Sequence, residues 1–253
     1  MSWRVVNASE VGTSHLGVNR PCEDSSWASV EVTPAGIEVL SIFVSDGAGS
    51  AARGGDGAEM AVQAAADFMA AKLAQPEFGF NDALAVDLVV AVRARIYAAA
   101  ELNGLTARDF ACTLLGVISS KLGTVVFQVG DGGVVIDVGA GLEVPVVPMT
   151  GEYANMTHFV TDEDAVKVLV TKQFQTAASR VAVFSDGLQR LALNMATNTA
   201  HEPFFAPFFK VLAGASEAQE DELQAALVRF LASPAVNERT DDDKTLALAV
   251  QIP

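Results

Sequence analysis

Strand-like and helical segments arrive in this chain in blocks rather than in alternation, and that order restricts the fold more than any other feature. Three strand-like segments come first: "WRVVNA", "WASVEV" and "GIEVLSIFVS". Two helical segments follow. "GAEMAVQAAADFMAAKL" is alanine-rich and is stopped by Pro76. "NDALAVDLVVAVRARIYAAAELNG" starts at a capping Asn81 and ends at Gly104. In the second, Leu84, Leu88, Val92 and Ile96 recur at helical spacing and define one apolar stripe.

A second β-rich block comprises "FACTLLGVISS", "TVVFQVGD", "GVVIDVG" and "LEVPVVP", with turn material at Lys121-Leu-Gly and at Gly132-Gly133. This pattern predicts an antiparallel meander. After a mixed stretch over 149–180 comes the strand "SRVAVFSDG" and a helical region to about residue 232. Its last helix is expected to open with a capping box, Ser216 to Gln219, and to bury Leu223, Leu227, Phe230 and Leu231 before Pro234. "TLALAVQI" closes the chain. Consecutive strands with helices in pairs predict an α+β fold rather than a parallel βαβ sheet. The architecture that buries every apolar face is a four-layer α-β-β-α sandwich, two antiparallel sheets flanked by helix pairs.

With 253 residues, 51% of them hydrophobic, and no repeat, low-complexity tract or polar linker, the chain reads as one globular domain over 1–253. No apolar run approaches the about 18–20 residues of a membrane span. The N-terminus lacks the basic-then-apolar pattern of a signal peptide. Cys22 and Cys112 offer neither a disulfide framework nor metal-ligand spacing. A cytoplasmic protein without a membrane partner is the simplest reading. The net charge of −15, from 16 basic and 31 acidic residues with no basic run, excludes a nucleic-acid surface.

The acidic residues are informative by position. Glu23-Asp24 in "RPCEDSS", Asp46 in "VSDGAGS", Asp186 in "VFSDGLQ" and Asp241–Asp243 in "RTDDDKT" each adjoin a strand end. Glycine after Asp46 and Asp186 lets the backbone turn sharply and leaves its carbonyl approachable. Carboxylates, a backbone carbonyl and water are the ligands of Mg²⁺ or Mn²⁺. A lone Asp-Gly usually means only a turn after a strand. Four acidic points in the same context favour a shared metal site.

In order, "GTSHLGVNRPCEDSS", "VSDGAGSAARGGDGAEMAV", "FACTLLGVI", "FQVGDGG", "VFSDGLQR" and "DDDKTLALAV" resemble the motifs of the metal-dependent type 2C Ser/Thr protein phosphatases, the PPM family, in its bacterial branch. The resemblance implies two divalent cations, Mn²⁺ or Mg²⁺. Asp46 would bridge them, the Gly47 carbonyl would complete one site, and Asp186 and Asp242 would hold the other. Thr245 sets the register that selects Asp242 over Asp243. Glu23 and Asp24 would hydrogen-bond metal-bound water. A hydroxide bridging the metals would attack phosphorus in line, while Arg20 would grip the phosphoryl oxygens. The implied substrate is phosphoserine or phosphothreonine in a protein, and the implied partner a Ser/Thr protein kinase or its target.

Some positions depart from the family pattern. The spacing from Arg20 to Glu23-Asp24 is shorter than in the commoner form. Ala48 replaces the histidine that many eukaryotic members carry after Asp-Gly. His15, His158 and His201 have no motif context. Members with a third metal hold it with the equivalents of Asp131 and of position 190, where this chain has Arg190. Two readings follow: Arg190 pairs with Asp131 and replaces that cation, or it points to solvent. Residues 149–180 fall where the family carries a flap beside the active site. The alternative to an enzyme is a pseudophosphatase, the same fold serving as a metal-binding regulatory module.

Overall fold

The computed structural model describes residues 2–81, 83–147 and 157–252. Its strands are β1 (Ser2–Glu10), β2 (Asp24–Val32), β3 (Glu38–Asp46), β4 (Leu114–Ser120), β5 (Gly123–Val129), β6 (Gly133–Asp137), β7 (Leu142–Glu143), β8 (Val170–Phe174), β9 (Arg180–Phe184), β10 (Leu193–Asn194), β11 (Thr199–Ala200) and β12 (Lys244–Ile252). Four longer helices are α1 (Gly54–Leu73), α2 (Leu84–Leu102), α3 (Glu202–Gly214) and α4 (Glu220–Leu231). One five-stranded sheet runs β1-β12-β9-β6-β7 and the other β2-β3-β4-β5-β8. Every pairing within them is antiparallel.

The apolar runs in β3, β4 and β5 lack polar alternation because both faces of their sheet are covered. Phe43, Leu114, Ile118, Val125 and Phe127 face outward onto α1 and α2. Their neighbours Leu40, Ile42, Val44, Leu115, Val117 and Val126 face inward, onto Val134, Ile136, Val181, Val183, Ala247 and Ala249 of the other sheet. Beyond that sheet, Phe184, Leu246 and Leu248 meet Phe205, Phe209 and Leu212 of α3 and Leu227 and Leu231 of α4. The layers are thus helix pair, sheet, sheet, helix pair, as the segment order predicts.

The stripe Leu84, Leu88, Val92 and Ile96 is buried along its length. The alanine surface of α1 lets backbone approach closely: a Cβ on Gly57 would lie 2.1 Å from the Phe110 carbonyl oxygen. The expected four-strand meander does not form. β4 and β5 make a hairpin, with Ser120 opposite Gly123. The chain then leaves that sheet through Gly130, at φ +120°, and β6 enters the other sheet beside β9. Glycine marks a turn in the sequence but not the sheet that receives the next strand, and here the crossing lies beside the site.

At α4 the expected capping box is incomplete. The Ser216 backbone N–H and hydroxyl both donate to Gln219 Oε1, at 2.9 and 3.0 Å, and the α-helix starts only at Glu220, after a 3₁₀ turn. Of the flap expected over 149–180, residues 149–156 lie outside the described residues. The remainder includes β8, which forms the edge of the β2–β5 sheet. Among the described residues no helix is long and apolar enough to cross a membrane.

Candidate metal centre

The two sheets bring distant carboxylates to one end of the molecule. Asp46 ends β3 and Asp24 begins β2, and the two pair directly across the ladder. Asp186 follows β9, Asp242 precedes β12, and Asp131 lies on the β5–β6 crossing. Asp46, Gly47, Asp131, Asp186, Asp242 and Asp243 line one cleft together with His15, Ala48, Gly49, Ser50, Thr113, Thr157 and Phe159.

Backbone packing fixes the loops that carry them. Asp46 N–H donates to Thr113 Oγ1 at 2.9 Å, and Thr113 N–H returns a bond to the Asp46 carbonyl at 2.8 Å. Gly47 N–H donates to the Glu23 carbonyl at 3.1 Å. Glycine is required at the two Asp-Gly turns. A Cβ on Gly47 would lie 2.3 Å from the Gly54 carbonyl carbon, and one on Gly187 would lie 2.0 Å from the Asp243 carbonyl oxygen.

Asp24 is buried between the sheets. Its Oδ2 accepts the Ser185 hydroxyl at 2.7 Å and the Thr245 hydroxyl at 2.8 Å. Its Oδ1 is buried without a hydrogen-bond partner, as is Asp186 Oδ1. Burial pushes the Asp24 carboxyl up to about 7; Ser185 and Thr245 oppose the rise, and Asp243 and Asp186 add to it. Asp186 is pushed up to about 6, first by burial and then by Asp131 and Asp242. Asp46 rises well above the carboxylate range, first by burial and then by Asp24, Asp186, Asp242 and Asp131. Asp242 is raised too, chiefly by burial.

Acids that oppose one another's ionisation, from buried Asp24 through half-buried Asp46 and Asp186 to exposed Asp242, with two buried oxygens left unpartnered, fit hard divalent cations. The donor set is all oxygen, which suits Mg²⁺ or Mn²⁺ and not a thiophilic metal. Cys22 and Cys112 are free thiols. Burial pushes Cys22 above the ordinary thiol range and Cys112 up to about 12, so neither is an activated thiolate.

Asp242 and Asp243 divide their work. Asp243 accepts the Gly12 N–H on Oδ1 and the Glu23 N–H on Oδ2, both at 2.6 Å, and so ties two loops to the start of β12. Among the described residues the Asp242 carboxylate engages only its own neighbour, accepting the Asp243 N–H at 2.9 Å. Of the two, Asp242 is the one left available to a cation.

Three side chains differ from expectation. Arg20 is not among the cleft-lining residues. Its Nη2 grips both oxygens of Glu23 at 2.7 Å and its Nη1 donates to the Gly49 carbonyl at 3.3 Å. The Glu23 carboxylate is therefore held by Arg20. Arg190 makes no ion pair with Asp131; its side chain is exposed, and its neighbour Gln189 donates to the Asp131 carbonyl instead. Arg190 is thus exposed and unpaired with Asp131, one residue on from Gln189 in the same helical turn. Asp131 Oδ2 accepts the Thr157 hydroxyl at 2.6 Å.

As a lone histidine in a polar loop, His15 carries no spacing signal in the sequence. It lines the cleft, with Nδ1 3.0 Å from Asp243 Oδ2. A separate group, His158, Asp162 and Asp164, brings ligand-type atoms within 4.8 Å of one another. It sits in a local turn in which Asp162 accepts the Phe159 N–H and Arg93 clamps the Val160 and Asp162 carbonyls.

Residues 11–232 match the sequence model of the family described as Protein phosphatase 2C. The chain is 55% identical to Serine/threonine-protein phosphatase 3 of Escherichia coli (strain K12) over 250 residues, 99% of each chain. Its fold is similar to that of PppA of Pseudomonas aeruginosa, with TM-score 0.61 and 19% identity over 99% of this chain and 98% of that one. It is also similar to the catalytic domain of the serine threonine protein phosphatase PstP, solved with two manganese ions, with TM-score 0.60 and 16% identity over 99% of both chains.

Proposed function

The chain belongs to the protein phosphatase 2C family, and from that premise we infer that it is a metal-dependent serine/threonine protein phosphatase acting on phosphoserine and phosphothreonine in proteins. The observation that carries this reading is the convergence of Asp46, Asp186 and Asp242 in one cleft, with Asp186 Oδ1 buried and unpartnered. Asp46, Asp186, Asp242 and the Gly47 carbonyl would hold two divalent cations, Mn²⁺ or Mg²⁺. Bound there, the cations supply a water of lowered pKa and offset the negative charge of the phosphoryl group.

The remaining residues position these ligands. Asp24 links the sheets through Ser185 and Thr245 and so fixes the distance between the Asp46 and Asp186 turns. The Glu23 carbonyl holds the Gly47 turn, while its carboxylate restrains Arg20 at the rim. Arg20, held by Glu23 and with 37% of its side chain exposed, would meet a phosphate oxygen from the rim. Asp131, which lines the same cleft, would be a ligand for a further cation. The whole chain, with 149–180 as its flap, would form one phosphatase unit. It would work in the cytoplasm opposite a Ser/Thr protein kinase or that kinase's target.

Hydrolysis of p-nitrophenyl phosphate and of a phosphothreonine peptide, with Mn²⁺ or with EDTA, tests this reading. Turnover of both that appears with Mn²⁺ and disappears with EDTA is expected. A protein that Mn²⁺ stabilises against heat but that turns over neither would be the pseudophosphatase instead.

A further inference from the structure

A phosphate ester entering this cleft meets mostly carboxylates. Among the described residues lining it there is no lysine or arginine, and of these His15 alone can carry a positive charge. Arg20 is committed to Glu23 at the rim. Lys244 is buried outside the cleft lining, donating to the Val11 carbonyl and to Asn237 Oδ1. Once the aspartates hold cations, none of them has a proton to give.

His15 is also firmly placed. Its short helical turn, Thr13–Gly17, is pinned to the segment that carries Asp242: the Ser14 N–H and hydroxyl both donate to the Asp241 carbonyl, at 2.9 and 2.7 Å. Gly12 packs so closely there that a Cβ would lie 2.4 Å from the Asp241 carbonyl oxygen. The His15 carbonyl accepts the Val18 and Arg20 N–H groups, which closes the turn. Nδ1 is sealed from solvent and lies 3.0 Å from Asp243 Oδ2, in contact but not aligned as a hydrogen bond. The side chain nevertheless keeps 15% exposure, so the ring opens to the cleft through its other edge. A carboxylate in contact with one imidazole nitrogen, with the ring lining the cleft by its open edge, is a placement suited to proton donation.

We propose that His15, backed by Asp243, is the general acid that protonates the departing serine or threonine oxygen. The step rests on the phosphatase reading above. A water oxygen forms the new bond to phosphorus and releases a proton to solvent. The bond from phosphorus to the side-chain oxygen breaks, its electron pair goes to that oxygen, and the proton on His15 Nε2 is delivered there. The neutral imidazole then regains a proton from solvent. The position that Ala48 leaves without a proton donor is thereby served from a different loop.

The test compares wild type with His15→Gln on aryl phosphates of graded leaving-group pKa and on a phosphothreonine peptide, with Mn²⁺. A general acid matters most for a poor leaving group. The expected kcat loss is ~10²-fold or more on the peptide and at least tenfold smaller on p-nitrophenyl phosphate, steepening the leaving-group dependence. His15→Ala should in addition recover peptide turnover when free imidazole is added, a result that a purely structural role would not give. If His15→Gln does not fold, His15→Ala with imidazole carries the test alone. A loss uniform across the series, or no recovery by imidazole, would overturn the proposal while leaving the phosphatase reading intact. A wild type inactive on every substrate would overturn both.

Discussion

Asp24 and Asp46 stand directly opposite one another where β2 begins and β3 ends, so this ladder closes on two facing carboxylates. Like charges across a strand pair are destabilising. Here Asp24 is buried and Asp46 half-buried, and Asp186 adds a third negative group. The stability of the site without metal therefore depends on its protons. Folded-state values above the ordinary carboxylate range mean that the folded protein binds more protons than the unfolded chain. That contribution is full below the unfolded value and is lost as pH rises through the folded values, about 6 for Asp186 and about 7 for Asp24. The metal-free protein should melt at progressively lower temperature between about pH 5 and pH 8. Saturating Mn²⁺ should raise the melting temperature most at the upper end. Calorimetry across that range checks both statements.

Asp242 and Asp243 should separate cleanly on mutation. Asp243→Ala strips two backbone N–H groups, Gly12 and Glu23, of a charged acceptor and should cost about 3 kcal/mol, read by urea unfolding. Asp242→Ala removes no comparable anchor and relieves repulsion, so metal-free stability should hold or rise while Mn²⁺-dependent turnover is lost.

Gly187→Ala should be among the costliest single-methyl changes in the chain. The added carbon would overlap the Asp243 carbonyl oxygen at 2.0 Å, backbone against backbone, so neither side can yield by a rotamer change. Destabilisation of about 1–3 kcal/mol or more is expected, together with weakened Mn²⁺ binding because the Asp186 turn is displaced. Thermal melts with and without Mn²⁺ measure both.

Arg190→Ala should leave the Mn²⁺ concentration dependence of turnover unchanged, because the exposed side chain makes no ion pair with Asp131. A shift in the Mn²⁺ requirement would show that the guanidinium acts on the cleft after all.

The layered architecture was legible in the sequence because block order and apolar periodicity report burial directly. Leu84, Leu88, Val92 and Ile96 are buried as their spacing requires, and β3 to β5 read as two-faced core strands. The acidic positions were legible because each follows or precedes such a strand. The β5–β6 crossing was not, since Gly130 encodes a turn and carries no record of which sheet receives the next strand. Nor did the sequence distinguish side chains by direction. Arg190 and Gln189 are neighbours, yet only Gln189 reaches Asp131. Arg20 has the charge to hold phosphate, but its nearest opposite charge, Glu23, holds it first. His15 was hidden for the same reason: its significance lies in Asp243, 228 residues away in the chain and 3.0 Å away in space.

The most direct test of the metal centre is the number of Mn²⁺ ions bound per chain, measured by titration calorimetry on wild type and Asp46→Asn, with turnover assayed on the same samples. Asp46 is the ligand expected to be shared, so the wild type should bind two ions with turnover, and Asp46→Asn should lose high-affinity binding and activity together. An Asp46→Asn protein that still binds two ions and hydrolyses the phosphothreonine peptide at the wild-type rate would contradict the assignment.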